Sequence, residues 1–219
     1  MTSRYTNITI SDTFTIQDAV AYYDIGSIGY NRNLETHIFQ IYAVDSLTDT
    51  VEWVAMDNAS LSVFVPYYPM LTTDTYAAYQ VSTPEAEFVT EEPTEGIYYA
   101  TTARQYIDGE RVNVEGFKII PANWAESFYW TFDALSNLYE FVTLTDEQKA
   151  TVDGTLAGLQ DMCYAEYANM AAAVAAAASP EEAAQIATDM ASANAANVHS
   201  VVVELLNGMY YTLFIFGFG

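Results

Sequence analysis

Alternating apolar and polar side chains are clearest in the first third of the chain. Residues 37–44 alternate and are rich in β-branched and aromatic types, and residues 51–56 and 61–68 repeat that character. The polar segment 45–50 separates the first two runs, as a turn does. The pattern predicts a β-meander of three adjacent antiparallel strands, with the third strand near 60–66.

Helical spacing of apolar residues marks two further places. Residues 15–24 predict a short helix, because Thr15 and Asp18 are placed to cap its start. Later in the chain, Pro121 stands near the start of a second helix, since apolar residues recur every three or four positions from Trp124 onward.

Two longer helices are predicted near 146–177 and 180–206. Thr145 opens a capping box for the first of them, and Ser179 before a proline opens the second. Alanine favours helix and lets helices approach closely. The alanine-rich end of the first helix therefore predicts an antiparallel helical hairpin that packs through alanine faces, Ala175 among them.

The remaining segments are predicted from their turn formers and their apolar tail. Residues 67–120 are expected to be loop-rich, with prolines and a run of acids, forming either a lid, binding loop or partner surface, or a solvated acidic excursion. Asn207-Gly208 predicts a helix end. The tail Met209–Gly219 is too short to span a bilayer and predicts a buried strand. Its segment Leu213–Phe218 is expected to be covered by a partner or by the chain's own core.

Charge narrows the classes of partner. The chain has 6 Lys and Arg residues against 29 Asp and Glu residues, a formal net charge of −23. Such a surface repels phosphate backbones and anionic lipid, so neither nucleic acid nor a membrane surface is an expected partner. Solubility or a salty medium explains the charge, with a cationic ligand as the alternative. Few lysines and a single cysteine, Cys163, are typical of a secreted or cell-surface bacterial protein.

Short catalytic motifs do not occur in the sequence. Phosphate-binding loops, dinucleotide fingerprints, zinc-protease motifs, serine-hydrolase elbows and EF-hand loops are all missing. The two histidines, His37 and His199, would need carboxylates from elsewhere to hold a metal, so neither a metal nor a cofactor is predicted. Cys163 lies on the apolar side of a predicted helix, where a buried inert thiol is favoured over a nucleophile.

Three strings in fixed order carry a family resemblance. Residues 35–41 (ETHIFQI), 51–56 (VEWVAM) and 62–68 (SVFVPYY) resemble the second half of bacterial cysteine dipeptidases of the dipeptidase A type. That family is similar in fold to bile salt hydrolase and penicillin V acylase. The resemblance continues more loosely through the segment NWAESFYWTFDALSNLY and covers about residues 1–145.

The resemblance implies an N-terminal-nucleophile fold, in which two antiparallel sheets lie between helical layers. It also implies a cysteine exposed as residue one, whose own α-amine serves as the base. This chain begins Met1-Thr2-Ser3, and Cys163 is its only cysteine. The resemblance therefore assigns the nucleophile to a missing first half and no catalytic residue to this chain. Thr2 or Ser3 would serve only if processing exposed it.

Candidate substrate-binding residues also come from the resemblance. The family carries an active-site arginine near the start of this half, and Arg4 is the best-placed match, with Arg32 second. Surface arginines that pair with the abundant acids are the alternative. His37, at the head of the first predicted strand, completes the set of candidates.

These observations predict an α+β chain with two regions. Residues 1–120 form the β-rich half of a hydrolase-like sandwich, and residues 121–219 form a helical region. The expected function is that of the C-terminal portion of a secreted dipeptidase that hydrolyses short peptides, with the missing N-terminal half or further copies of the chain as partners. The alternative is a non-catalytic surface or self-assembling protein on the same fold.

Overall fold

The computed structural model describes residues 14–23, 35–41, 48, 50–81, 87–94, 98–119, 123–141 and 144–216. Within these ranges, four helices and two three-stranded antiparallel sheets give the predicted α+β class. The helices are α1 (Ile16–Tyr23), α2 (Phe128–Phe141), α3 (Asp146–Ala176) and α4 (Pro180–Phe216). The strands are β1 (Glu35–Ile41), β2 (Thr50–Met56), β3 (Val65–Tyr67), β4 (Glu87–Val89), β5 (Tyr98–Ile107) and β6 (Glu110–Ile119). Short 3-10 turns cover Ala59–Leu61, Ala77–Tyr79 and Trp124–Glu126.

The first sheet has the order β1–β2–β3 and is antiparallel throughout. His37 lies opposite Val54, and Trp53 lies opposite Pro66. The prediction that the three apolar runs are adjacent strands is therefore confirmed. Residues 42–44, the end of the first predicted strand, lie outside the described residues.

The third strand is shorter than predicted, because β3 covers only part of 61–68. Asn58 begins a 3-10 turn there, and its side chain accepts a backbone N–H of the turn at 3.1 Å. Phe64 donates its N–H to Oε1 of Gln160 on α3 at 2.8 Å, and its carbonyl accepts from Nε2 of the same side chain at 3.2 Å. Bonds to the turn and to the helix thus replace part of the expected strand ladder.

The second sheet lies in the region that was predicted to be loop-rich, so that prediction is wrong. Its order is β4–β6–β5, and Asp108 and Gly109 join the two ten-residue strands. Both turn residues have positive φ, 53° and 81°, as a type I′ hairpin turn requires. The prolines that suggested a loop, from Pro66 to Pro93, all precede β5.

Both predicted capping boxes are confirmed. At α3, the Gln148 N–H donates to Thr145 Oγ1 at 3.2 Å, and the Thr145 N–H donates to Gln148 Oε1 at 2.9 Å. At α1, the Asp18 N–H donates to Thr15 Oγ1 at 3.3 Å, and the Thr15 N–H donates to Asp18 Oδ2 at 2.7 Å. Each box satisfies two backbone donors that a helix start leaves without partners.

Helix α2 begins at Phe128, later than the proline at 121 suggested. A 3-10 turn precedes it, and Ser127 Oγ accepts the backbone N–H of Trp130 at 3.3 Å. Ser127 therefore acts as the N-terminal cap. Pro121 itself lies outside the described residues.

Helix α4 runs through the predicted stop at Asn207-Gly208 as far as Phe216. The predicted helix end and the predicted buried strand in the tail are both wrong over the described residues. A glycine inside a helix costs only about 1 kcal/mol relative to alanine. Leu206 and Met209, on either side of it, are buried, and their packing outweighs that cost.

Helices α3 and α4 are linked by residues 177–179 and contact each other. Cys163 Sγ lies 3.7 Å from Asn194 Oδ1, and the Met162 sulfur accepts from another α4 side chain at 2.9 Å. The buried alanines of α4 lie four residues apart at Ala187, Ala191 and Ala195. Ala175, expected in the contact face, is exposed, whereas its neighbour Val174 is buried. The prediction that Ala175 lies in the contact face is therefore wrong, and the buried position is the preceding residue, Val174.

The first sheet lies against α3 through a tryptophan. Trp53 is fully buried, and its ring centroid lies 5.6 Å from that of Tyr164 and 5.3 Å from that of Tyr167. Aromatic pairs at this spacing stabilise a core beyond the area they bury. No helix in the described parts of the chain is long and apolar enough to cross a membrane.

Candidate functional site

His37 lies on the outward side of β1, held between two carboxylates. Its Nδ1 is 2.6 Å from Glu52 Oε1 on β2, and its Nε2 is 3.4 Å from Glu35 Oε1 on its own strand. The ring also stacks on Phe39, with centroids 6.2 Å apart. Partial burial lowers the pKa of His37, but the bonds to Glu52 and Glu35 and their charges outweigh it, so the pKa is raised.

This geometry makes His37 a charge-compensated group on an open strand. Its side chain is 32% exposed, so a ligand can reach it, yet a ligand carboxylate would have to compete with Glu52 for the imidazolium. The structure does not place the other two candidates, because Arg4 and Arg32 lie outside the described residues.

A cavity of about 320 Å³ lies on the opposite side of the same strands. Successive side chains of a strand point to opposite faces, so His37 points away from the cavity while Gln40 lines it. The Trp53 Nε1–H donates to Gln40 Oε1 at 3.3 Å and fixes the amide at the wall. The lining residues are Phe14, Thr15, Ile16, Gln17, Gln40, Trp53, Tyr164 and Tyr167.

This cavity, called the aromatic cavity below, has the chemistry of a binding site. Aromatic rings and an isoleucine form its walls, and hydroxyl and amide groups supply donors and acceptors. The lining residues that the structure describes include no cysteine, serine, histidine or carboxylate. They can therefore hold an apolar side chain next to a polar backbone, but they supply no thiol, imidazole or carboxylate for catalysis.

Cys163 is buried, as the sequence predicts. Its thiol is fully covered in the interface of α3 and α4, near the Asn194 side chain. Burial raises the pKa of the thiol to about 12, although the bond to Asn194 acts in the opposite direction. The thiolate is the reactive form of cysteine, so this side chain does not act as a nucleophile at neutral pH.

His199 belongs to the core. Its Nε2 lies 3.0 Å from Thr131 Oγ1 on α2, and its Nδ1 lies 3.1 Å from the Tyr76 hydroxyl. Burial lowers the pKa of His199, so the ring is neutral at pH 7. Both ring nitrogens have partners, and the residue ties three parts of the chain together.

A pair of buried carboxyl groups escaped the sequence reasoning. Asp57 follows β2 with a positive φ of 57°, and it accepts the hydroxyl of Ser136 on α2. Asp133, one turn earlier on α2, accepts from Asn137 Nδ2 at 2.8 Å. Burial raises the pKa of Asp133 to about 6; the charge of Lys118 on β6 lowers it and that of Asp57 raises it. Burial likewise raises the pKa of Asp57.

The signal for this pair was an acid inside the apolar stripe of α2. Asp133 stands directly after the buried Phe132 and before buried Ala134 and Leu135. Such a position calls for partners: Asn137 on the same helix donates a hydrogen bond and Lys118 on β6 contributes an opposite charge, whereas the charge of Asp57 opposes ionisation. Among the described residues no group of three His, Cys, Asp or Glu side chains is arranged to hold a metal ion.

Comparison with known proteins finds a match to one family model over part of the chain. Residues 1–107 match the family model described as Peptidase family C69. The match covers slightly less than half of the chain and includes all of the first sheet. No curated protein and no solved structure shows a significant match. The family match supports a relationship to cysteine peptidases of the dipeptidase type.

Proposed function

We propose that this chain is the C-terminal portion of a secreted dipeptidase that hydrolyses short peptides by cysteine acyl transfer. The observation that carries the proposal is the family match over residues 1–107. The three strings that resemble dipeptidase A fall within it, on β1, on β2 and on the segment 62–68 that contains β3. The nucleophile would come from a segment outside these 219 residues.

The chemistry of Cys163 supports an external nucleophile. An acyl transfer needs a thiolate within reach of the peptide carbonyl and a base to take its proton. Cys163 is buried between two helices, with a pKa of about 12, and does not line the aromatic cavity. This chain therefore contributes the sheet and a wall for the substrate rather than the attacking group.

The sheets and helices of this chain would form layers of a larger sandwich. The first sheet would belong to the αββα sandwich of an N-terminal-nucleophile hydrolase, and α3 and α4 would form one helical layer as a hairpin. Trp53 packed on α3 and the paired contacts between α3 and α4 support this arrangement. Three strands alone are a small sheet, and the missing half would add the others.

The aromatic cavity and two arginines would bind the peptide substrate. The cavity would take an apolar side chain of a short peptide, with the Gln40 amide near its backbone. Arg4 or Arg32 would bind the terminal carboxylate, because a guanidinium matches a carboxylate with two parallel hydrogen bonds. His37 faces away from the aromatic cavity and is paired with Glu52 and Glu35, so it would act only on a ligand at the open side of β1.

Dipeptide hydrolysis by the isolated chain tests the nucleophile assignment. We expect no turnover of dipeptides with different side chains, and no difference between the chain and Cys163→Ala. Alkylation of Cys163 should proceed only after unfolding. Turnover that disappears in Cys163→Ala would contradict the assignment of the nucleophile to a residue outside this chain.

A non-catalytic, self-assembling role is the second candidate. The observation in its favour is the outward side of β1, where Phe39 and Ile41 are 57% and 65% exposed. Apolar side chains on an edge strand are typical of surfaces that pair with another chain. Exchange of both for threonine would leave the oligomeric state unchanged if this candidate is wrong.

A further inference from the structure

The aromatic cavity lies where the start of α1, the first sheet and α3 meet. Tyr164 and Tyr167, one helical turn apart on α3, are half-buried and inclined to the buried Trp53 ring by 58° and 64°. Phe14, just before α1, adds an exposed ring to the lining. Aromatic rings attract cations through the negative charge of their faces, so this lining suits a positively charged ligand group.

The polar groups of the lining can accept hydrogen bonds from such a ligand. Gln40 Oε1 accepts the Trp53 Nε1–H at 3.3 Å, and an amide oxygen can accept a second bond. The Thr15 hydroxyl donates its only proton to Asp18 Oδ2 at 2.7 Å, so it can meet a ligand only as an acceptor. Donor groups on the ligand would therefore find oxygen partners in the cavity.

Negative charge accompanies these acceptors. The bonds from Thr15 lower the pKa of the exposed Asp18, whose carboxylate is therefore ionised at neutral pH. On α3, burial raises the pKa of Tyr164 to about 12, and the charge of Asp161 adds to that rise. The lining residues that the structure describes include no lysine or arginine. An anionic side chain would thus be repelled here and a cationic one attracted.

Among cationic groups, a guanidinium fits this lining better than an ammonium. The described lining holds no carboxylate, so a strongly hydrated ammonium would lose its water without a strong partner. A guanidinium is planar and weakly hydrated, stacks on aromatic rings and donates five N–H groups in its plane. The arginine side chain also has an apolar three-carbon stem, which can lie along Ile16 and the rings.

We propose that the aromatic cavity binds the arginine side chain of a short peptide, with the guanidinium against Tyr164 or Tyr167 and its N–H groups toward Gln40 and Thr15. The apolar stem fills the cavity, and the guanidinium makes it selective. That the ligand is a peptide rests on the proposed function, whereas the preference for a guanidinium rests on the cavity alone.

NMR titration of the 219-residue chain with matched probes tests this preference. The probes are N-acetyl-arginine amide and N-acetyl-citrulline amide, because the urea group of citrulline has the shape of a guanidinium without its charge. N-acetyl-leucine amide measures the apolar contribution. We expect the arginine probe to bind about three- to thirtyfold more tightly than the citrulline probe. Added salt should weaken the arginine probe more than the citrulline probe.

Variants of the two tyrosines separate the ring faces from the hydroxyl groups. Tyr164→Phe with Tyr167→Phe keeps both rings and should keep the preference for arginine over citrulline. Tyr164→Leu with Tyr167→Leu removes the rings and should abolish the preference.

A change at an exposed acid avoids the core altogether. Asp161→Asn should lower the affinity for the arginine probe about twofold and leave the citrulline probe unchanged. Glu147→Gln removes the same charge from an exposed site in the first turn of α3 and is the matched control.

Three results would overturn the inference. They are equal affinities for the arginine and citrulline probes, tighter binding of the leucine probe, and no binding of the arginine probe up to about 10 mM. Because binding needs no turnover, the proposed function fails separately. A preference for arginine in a chain whose upstream extension brings no hydrolysis would leave the cavity assignment intact. Hydrolysis by the extended chain with equal probe affinities would have the opposite meaning.

Discussion

The two sheets have the same strand number and the same antiparallel pairing, yet they differ in what covers them. In the first sheet Trp53 and Val65 are fully buried, whereas Tyr106 of the second sheet is 76% exposed. Helices account for the difference: α3 packs Tyr164 and Tyr167 on Trp53, and α4 also contacts β3. Strand pairing by itself therefore does not make a core; the layer packed on the strands does.

The largest effect should come from removing the central ring of the covered sheet. Trp53→Ala leaves a cavity against Tyr164 and Tyr167, and we expect it to lower the free energy of unfolding by about 3–5 kcal/mol. Tyr106→Ala on β5 is the control and should change stability by no more than about 0.5 kcal/mol. Urea denaturation measures both. Similar losses in the two variants would remove the distinction between the sheets.

The buried carboxyl group of Asp133 on α2 should make stability depend on pH. Burial raises its pKa to about 6, with the charge of Lys118 on β6 lowering it and that of Asp57, which follows β2, raising it. The folded chain keeps a proton on Asp133 that the unfolded chain releases at about pH 4. The free energy of unfolding should therefore fall as pH rises from about 4 to 6.

Asp133→Asn tests this directly, since an amide still accepts from Asn137. We expect the variant to lose this part of the pH dependence and to be more stable than the parent at pH 7, by up to about 3 kcal/mol. Asp161→Asn, at an exposed site on α3, is the control for the lost charge. A parent and an Asp133→Asn variant with parallel pH profiles would contradict the assignment.

The helices that cover the first sheet allow a smaller, positional test. Ala191 is buried where α4 packs, whereas Ala175 on α3 is exposed. Ala191→Leu should destabilise by roughly 1–3 kcal/mol through overpacking. Ala175→Leu should be close to neutral. Thermal melts of the two variants decide the matter, and the reverse order would mean that the contact face is the one the sequence suggested.

The smallest expected effect on stability comes from the two histidines, whose pKa values shift in opposite directions. Carboxylates raise the pKa of His37 on the open side of β1, and burial lowers the pKa of His199 in the core. His37 therefore contributes stability that is lost as pH rises through its folded pKa, and His199 contributes stability that is lost as pH falls below about 6.5. NMR titration should show His37 titrating at the higher pH, and the opposite order would be a clear failure.

The sequence predicts the covered sheet better than the bare one. Alternation places β1 and β2 because one side of each strand packs on a core, and capping chemistry at Thr145 and Thr15 marks two helix starts. The β5–β6 hairpin was missed because the prolines and acids upstream of it resemble a loop. Asp108-Gly109 is the signal that could have identified its turn.

The candidate site was less accessible to sequence reasoning. His37 was placed on the correct strand, but its pairing with Glu52 depends on register, which one sequence does not give. The carboxyl pair Asp57 and Asp133 is 76 residues apart and meets only through packing of α2 on β2. Asn207-Gly208 is a common helix-stop signal, so the sequence predicted a helix end there. Helix α4 continues because residues on either side are buried, and burial is a tertiary property that local sequence does not give.

The most direct test of the peptidase account is dipeptide hydrolysis by a longer chain. The source gene would be sequenced upstream of Met1, expressed from its natural start through Gly219, and assayed beside the 219-residue chain. The account predicts an upstream cysteine that becomes residue one after processing, with hydrolysis that its change to alanine abolishes and Cys163→Ala leaves intact. An extended chain without such a cysteine, or without hydrolysis, would contradict it.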